Sequence, residues 1–402
     1  MNNSATSPPI RQHSFLAAFA ANRWPDRDLV RAIAIYMLIA YVPMLWHVFG
    51  EATGKVGSDF QAFWGAGRLV VAGHPWSAYD FMAEHAAQKA SRTGHFVPFV
   101  NPPPYLFLTA PLALMPYGAA WLVWALGGWA VWFAVCRRLL PGQSLALLSC
   151  PAAYLAACHA QNGFITGALL IGGVIALPRN DRLAGALFGA LVIKPHLALL
   201  IPLWLIAGRR WRALGAMAAS AALLCLASLV AFGPQTWAAW PRALAFSAAL
   251  VEHSGPAFFW RMASPFALLH GLGAAIAAVA QSVITLAMAI LVWRQTRRHG
   301  ANAATGALTL AATALACPYL FAYDLPFLAQ PMLWLVADAR AHGWRRWEKA
   351  AVIALWLAPL ATRLEALPLH ANLMPLASLA LVGLIAQRLS PPLNGLRHSQ
   401  KS

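Results

Sequence analysis

An all-α, polytopic membrane protein is what this sequence predicts, a bundle of about 12 transmembrane helices behind a large first outer loop. Three observations carry that prediction. Only 10% of the 402 residues are charged and 60% are hydrophobic, whereas a soluble domain carries about 25% charged residues. Long apolar runs recur along the chain, and the mean hydropathy is +0.60. Clusters of Lys and Arg punctuate those runs, as cytoplasmic loops do under the positive-inside rule. A formal net charge of +17 raises nucleic-acid binding, but the apolar runs argue against it. No polar stretch outside the spans is long enough for a separate soluble domain.

The elements follow in order. Residues 1–28 are polar and basic (Arg11, Arg23, Arg27) and read as a cytoplasmic tail. Leu29 to Phe49 is too long for a signal-peptide core and is followed by no small-residue cleavage site, so it reads as an uncleaved first span. Residues 50–104 form the longest polar stretch, an outer loop in which Gln61 to Ala72 is amphipathic enough to lie along the membrane surface. Prolines 111 and 116 break the next apolar run. Tyr105 to Met115 is expected as a short helix and Ala119 to Cys136 as the span. Runs 143–158 and 163–178 make a hairpin with His159, Gln161 and Asn162 at its outer tip.

Run 184–207 has basic clusters at both ends and therefore crosses twice or not at all. Lys194-Pro195-His196 divides it into two helices of about 12 residues, each only about 18 Å long against a hydrocarbon core of about 30 Å. A short, broken pair is expected, with the Lys-Pro-His turn buried or facing an outer cavity. Then 213–232 goes out, 233–270 is a second outer loop and 271–293 returns. Run 302–318 goes out, Tyr319 to Asp324 is an outer turn and 325–337 returns. A last hairpin, 350–362 and 371–387, leaves Arg363, Glu365 and His370 outside. Residues 29–388 thus form the membrane domain, and 389–402 a second cytoplasmic tail.

This topology sorts the charges. Of the net +17, it puts +16 inside, and the outer side holds 7 basic and 7 acidic residues. Lys194 is the remaining cation. The five cysteines form no CxxC pair and read as small packing residues. No metal-site, nucleotide or serine-hydrolase motif is found in a suitable context. With no nucleotide site expected outside, an activated donor has to be lipid-linked.

The candidate chemistry gathers at outer ends. Asp59 follows the first span closely, where a carboxylate can act as a general base on a hydroxyl or simply cap the helix that follows. Asp80, after Tyr79, has the same two readings. Asn101-Pro102-Pro103-Pro104-Tyr105 is a rigid entry to the short helix. Lys194 is the strongest physical signal, since an ionisable residue inside an apolar run is a functional hypothesis by default. No acidic residue neighbours it in sequence, which suggests a phosphate partner, with His196 adding a hydrogen bond. His159, Gln161 and Asn162 have side chains suited to sugar hydroxyls or phosphate, although a plain loop would look the same. Arg261, Tyr323 and Asp324 also fall at outer ends.

The motif order is Ser58-Asp59-Phe60, Gly73-His74-Pro75, Tyr79-Asp80, Pro103-Pro104-Tyr105 with Pro111-Leu112-Ala113, Gln161-Asn162-Gly163 and Ile193-Lys194-Pro195. Over about residues 30–340 it resembles glycosyltransferase family 87 (DUF2029), membrane enzymes of the GT-C superfamily. The chain departs from the family pattern at Ala160, where Gly is common, and at His196 after Lys-Pro. The resemblance implies a GT-C-like bundle and transfer of a hexose, mannose in characterised relatives, from a polyprenyl-phosphate donor to an acceptor hydroxyl on the outer side of the inner membrane. It implies Asp59 as catalytic base of an inverting displacement. Lys194, His196 and Arg261 would hold the donor phosphate. Asp80, Tyr105, Gln161, Asn162, Tyr323 and Asp324 would line the substrates. No cofactor or metal ligand is implied; the partners are the lipid-linked sugar, a glycolipid or glycan acceptor and the membrane. Two rivals stand beside this reading. A secondary transporter would also break helices around an intramembrane Lys, and a lipid-linked polysaccharide ligase would use Arg and His in the late outer loop.

Overall fold

Proline and glycine decide where the apolar runs become helices. The computed structural model describes residues 17, 20–22, 27–94 and 96–390, so most of the two expected tails lies outside the described residues. The described chain is helical apart from one isolated bridge, Met262 to Phe321.

Helices α1 (Arg27–Thr53), α2 (Phe60–Val71), α3 (Phe81–Gln88), α4 (Leu106–Leu112) and α5 (Tyr117–Cys136) come first. The hairpin follows as α6 (Ser144–Leu148), α7 (Pro151–His159) and α8 (Gly163–Ala176). Helices α9 (Asp181–Gly189) and α10 (Ile201–Ala207) flank two 3₁₀ turns, Ala190–Ile193 and Pro195–Ala198, that meet at Lys194. Helix α11 (Trp211–His253) leads through α12 (Pro256–Phe259) and α13 (Pro265–Leu269) into α14 (Ala274–His299). The chain ends with α15 (Ala303–Ala316), α16 (Ala329–His342), α17 (Glu348–Glu365) and α18 (Met374–Leu389).

Four helices, α1, α5, α11 and α14, are long and apolar enough to cross a membrane. The other expected crossings fall on shorter pieces, because Pro151, Pro195 and their neighbours end or restart helices within the apolar runs. At 14 residues, α8 and α15 rise only about 21 Å each. The expected break of run 184–207 is observed, with Lys194 in extended backbone between its two turns.

Two expectations about the outer segments need correction. Helix α2 does not lie on a surface: Phe60 through Gly67 are all buried. Glycines on two sides make this possible, since a Cβ at Gly67 would sit 2.2 Å from the Thr109 carbonyl and one at Gly65 would sit 2.7 Å from the Gln88 side chain. Nor is 233–270 a loop. Helix α11 kinks at Gly233, whose φ is 80° and ψ 162°, and then resumes to His253. Its second half covers the first outer segment: Trp240 Nε1 donates to the Val100 carbonyl at 3.1 Å, and the Phe246 and Phe81 rings are 4.7 Å apart.

The basic clusters meet at one end of the bundle. Asn22 donates to the Arg345 carbonyl and accepts from the Lys349 backbone. Arg388, nearly buried, makes a bidentate pair with Glu348 and another bond to Asp338. Arg210 bridges Asp181 and the Ala301 carbonyl. Between the ends, several buried polar side chains bond to backbone carbonyls. Thr309 and Thr313 bond back along α15, and Gln281 donates to the carbonyls of Leu315 and Ala316. All five cysteines are free thiols, and three of them are buried.

Candidate active site

The end opposite Arg388 collects the polar residues that sequence places at outer tips. Asp59 stands at the start of α2 after Gly57, which turns the chain with a φ of 82°. Ser58 ties this turn to α5, its hydroxyl 3.3 Å from the Tyr117 hydroxyl and accepting from Trp121 Nε1 at 3.2 Å. Although Asp59 occupies the N-cap position, its side chain makes no capping bond. The carboxylate faces the α7–α8 tip instead. Its Oδ2 accepts from Gln161 Nε2 at 3.3 Å and lies 3.7 Å from His159 Nδ1. Oδ1 accepts no hydrogen bond from the described residues. The Asp59 and His159 side chains are 31% and 33% exposed, so this part of the cluster is open.

Beneath it lies a closed polar floor. Lys194 Nζ donates to Asp324 Oδ1 at 2.5 Å and to Asn162 Oδ1 at 2.9 Å. Lys194 is 11% exposed and Asp324 0%. The other Asp324 oxygen accepts from the Phe321 backbone at 3.2 Å, which holds the 321–324 turn. The Tyr323 ring lies 5.3 Å from the Lys194 ammonium and 5.4 Å from the His159 ring, joining floor and opening. Gly163 permits this contact between α8 and the turn, since a Cβ there would stand 1.8 Å from the Tyr323 carbonyl. No acidic residue neighbours Lys194 in sequence, but one meets it in space. Asp324 lies 130 residues away in sequence and in direct contact in space.

The other expected residues divide. Tyr105 is fully buried among Phe63, Phe99 and Trp124, with its hydroxyl directed at Asn162 but in no well-formed hydrogen bond. His196 sits beside the Lys194–Asp324 pair with a buried, unpartnered Nε2, while its carbonyl accepts from Cys317 Sγ. Arg261 is exposed next to the Met262–Phe321 bridge and within charge range of His159. Asp80 stands apart: it caps α3 by accepting from Met82 and Ala83 and makes no contact with the cluster.

Sequence reading singled out His159 at the hairpin tip but not as the neighbour of Asp59, and it missed two further residues of consequence. Arg363, near the C-terminal end of α17, lies within charge range of His159 and Arg261. Glu84, in the first outer segment, is fully buried, accepting from Gln88 Nε2 at 3.0 Å and from the Phe99 backbone at 2.9 Å. Burial pushes its carboxyl well above the usual carboxylate range, against both hydrogen bonds.

The arrangement is an accessible carboxylate with one free oxygen, amide and imidazole groups beside it, and a neutralised cation below. It can take a proton from a bound hydroxyl. No curated protein and no solved structure matches the chain. The family model for glycosyltransferase family 87 matches residues 99–322, a shorter stretch than the motif order suggests, leaving Asp59, Asp324 and Arg363 outside it. Because the match covers more than half of the sequence, the chain belongs to glycosyltransferase family 87 and is a membrane glycosyltransferase.

Proposed function

We propose that this glycosyltransferase moves a hexose, mannose in the first instance, from a polyprenyl-phosphate donor to an acceptor hydroxyl at the outer face of the inner membrane. The observation that carries the reading is the Asp59 carboxylate, half-buried and uncommitted to its helix, with Oδ1 free of hydrogen bonds from the described residues and Oδ2 accepting from Gln161. In the proposed step the acceptor oxygen attacks the anomeric carbon as its proton passes to Asp59 Oδ1. The bond from that carbon to the phosphate oxygen breaks, and polyprenyl phosphate leaves with the electron pair. One displacement inverts the anomeric centre. The sugar arrives as a co-substrate, so no cofactor is part of the proposal. Tyr323 offers a ring face where the sugar would lie, and Asn162, buried in the floor, holds Lys194.

Lys194 enters the proposal in a different role from the one its sequence context suggests. An ammonium already paired with a buried carboxylate has little charge left for a phosphate, so Lys194 holds the floor of the site. The broken helices around this pair also suit a transporter. The polar groups, however, gather at one end of the bundle beside a partly accessible carboxylate, which suits transfer. Supplying labelled polyprenyl-phosphate-mannose to membranes with wild type or Asp59→Asn tests the reading. The variant is expected to lose about 10²–10⁴-fold in rate, the usual contribution of a general base; equal transfer by both sinks it.

A further inference from the structure

We infer that Arg363 and Arg261 together form the binding site for the donor's prenyl phosphate ester, with the prenyl chain lying in the furrow between α17 and α18. The inference rests on the transferase reading and names the substrate end that Lys194 leaves unserved.

Four features place the two arginines. The segment carrying Arg261 is pinned to the 319–324 turn by the Met262–Phe321 bridge and by Ala263 N donating to the Leu320 carbonyl at 2.6 Å. Its other neighbour, Trp260, packs on the His370 ring at 4.5 Å, which draws it to the α17–α18 connection. On α17, Leu360 packs with Tyr154, Leu155 and Ala322. Arg363 is one turn further on and so stands beside Cys158 and His159 at the end of α7. The two guanidinium groups act on each other as like charges, and neither forms an ion pair with any described residue. Two adjacent cations without an acid repel each other, and a bound anion removes that cost.

The apolar partner of this charge is directly below. Leu355, Trp356 and Pro359 of α17 and Met374, Ala377 and Leu381 of α18 line, with Cys150, Leu328 and Met332, a small gap of about 20 Å³. Beside it, and sharing Leu355 with it, an open furrow of about 400 Å³ lined by Ala351, Ala354, Ala380 and Gly383 would take the prenyl chain. Pro359 is one turn from Arg363. A cationic head above an apolar furrow fits a lipid whose single phosphate carries the sugar. A phosphodiester donor has one negative charge and the departing phosphomonoester approaches two. The arginines would therefore bind the leaving group more tightly than the donor and favour the step in which charge develops. Arg is suited to this, since its planar fork meets phosphate oxygens in pairs.

The test uses full-length protein in detergent and two readouts. Geranylgeranyl phosphate is expected to bind wild type and to lose at least tenfold in affinity in Arg363→Ala and in Arg261→Ala, with partial recovery in Arg363→Lys. Geranylgeraniol and inorganic phosphate, which carry the tail or the charge alone, are expected to bind more weakly. In the transfer assay, Arg363→Ala is expected to raise the inhibition constant of polyprenyl phosphate by more than the donor KM, a split that a merely misfolded site does not produce. Unchanged geranylgeranyl phosphate affinity in the double Arg261→Ala/Arg363→Ala variant overturns the inference. Inorganic phosphate binding as tightly as the prenyl ester overturns the furrow. If wild type binds the ester but transfers no sugar from any prenyl-phosphate donor, the proposed function fails and the site stands.

Discussion

Lys194→Met is expected to destabilise the protein, and Lys194→Met/Asp324→Asn to restore most of what is lost. In the single variant Asp324 keeps a charge that is 0% exposed and has only the Phe321 amide left to answer it. Removing one partner of a buried ion pair costs about 3–5 kcal/mol, a factor of roughly 10²–10⁴ in the folding equilibrium at ~1.4 kcal/mol per tenfold. Little screening reduces this, because Lys194 itself is 11% exposed. Replacing both groups removes the orphaned charge, and the Asn carbonyl can still accept from Phe321. The comparison is a detergent-denaturation series on purified wild type, both singles and the double, followed by donor KM on whichever variants fold. Expected is a folded double variant with donor KM within about threefold of wild type. Two results refute the reasoning: a single Lys194→Met as stable as wild type, or a well-folded double whose donor KM rises about a hundredfold. The second would return the phosphate to Lys194.

The other expectations are shorter. Gly163→Ala forces the α8 start away from the Tyr323 carbonyl, and a displacement near 1 Å at a site can cost about 100-fold; kcat/KM measured beside a thermal melt shows whether the loss is catalytic. Gln161→Ala releases Asp59 Oδ2 and is expected to lower the rate by less than Asp59→Asn does; a loss as large as that of Asp59→Asn contradicts the orienting role. For Glu84 the folded-state value is raised, so its contribution to stability is fully present below the ordinary carboxylate value and is lost as pH rises above that range. Wild-type stability is therefore expected to fall over that rise, and the fall to be smaller in Glu84→Gln; parallel pH profiles refute it.

Much of the fold was legible because proline and charge act locally. The Pro111 and Pro116 breaks, the α7–α8 hairpin and the divided run around Lys194 all follow from rules that need only neighbours. What sequence could not show is which distant residues touch. Gln61 to Ala72 has an amphipathic pattern that suits a surface, and only Gly65 and Gly67 meeting Gln88 and Thr109 reveal that it is enclosed. Gly233-Pro234 reads as the end of a helix, yet the kink lets α11 continue and cover the first outer segment. In the site, Asp59 and Gln161 each stood out at outer tips, but their contact spans 102 residues. The Lys194–Asp324 pair spans 130, and no local pattern encodes it.

The pairing of Lys194 changes how a cation inside an apolar run is interpreted. Its cost in an apolar setting shows that it needs a negative partner but does not say whether the partner is substrate or protein. Burial separates the two cases here. Lys194 and Asp324 exclude solvent together, and a ligand phosphate arriving there would have to displace a carboxylate at 2.5 Å. Arg261 and Arg363 present the opposite case: both lie within charge range of His159, and neither is ion-paired with a described residue. A site built for a departing phosphate needs its positive charge unspent before the substrate arrives. On the proposed reading the arginines, and not the lysine, would receive it, while the lysine is paired with Asp324 in the turn that carries Tyr323.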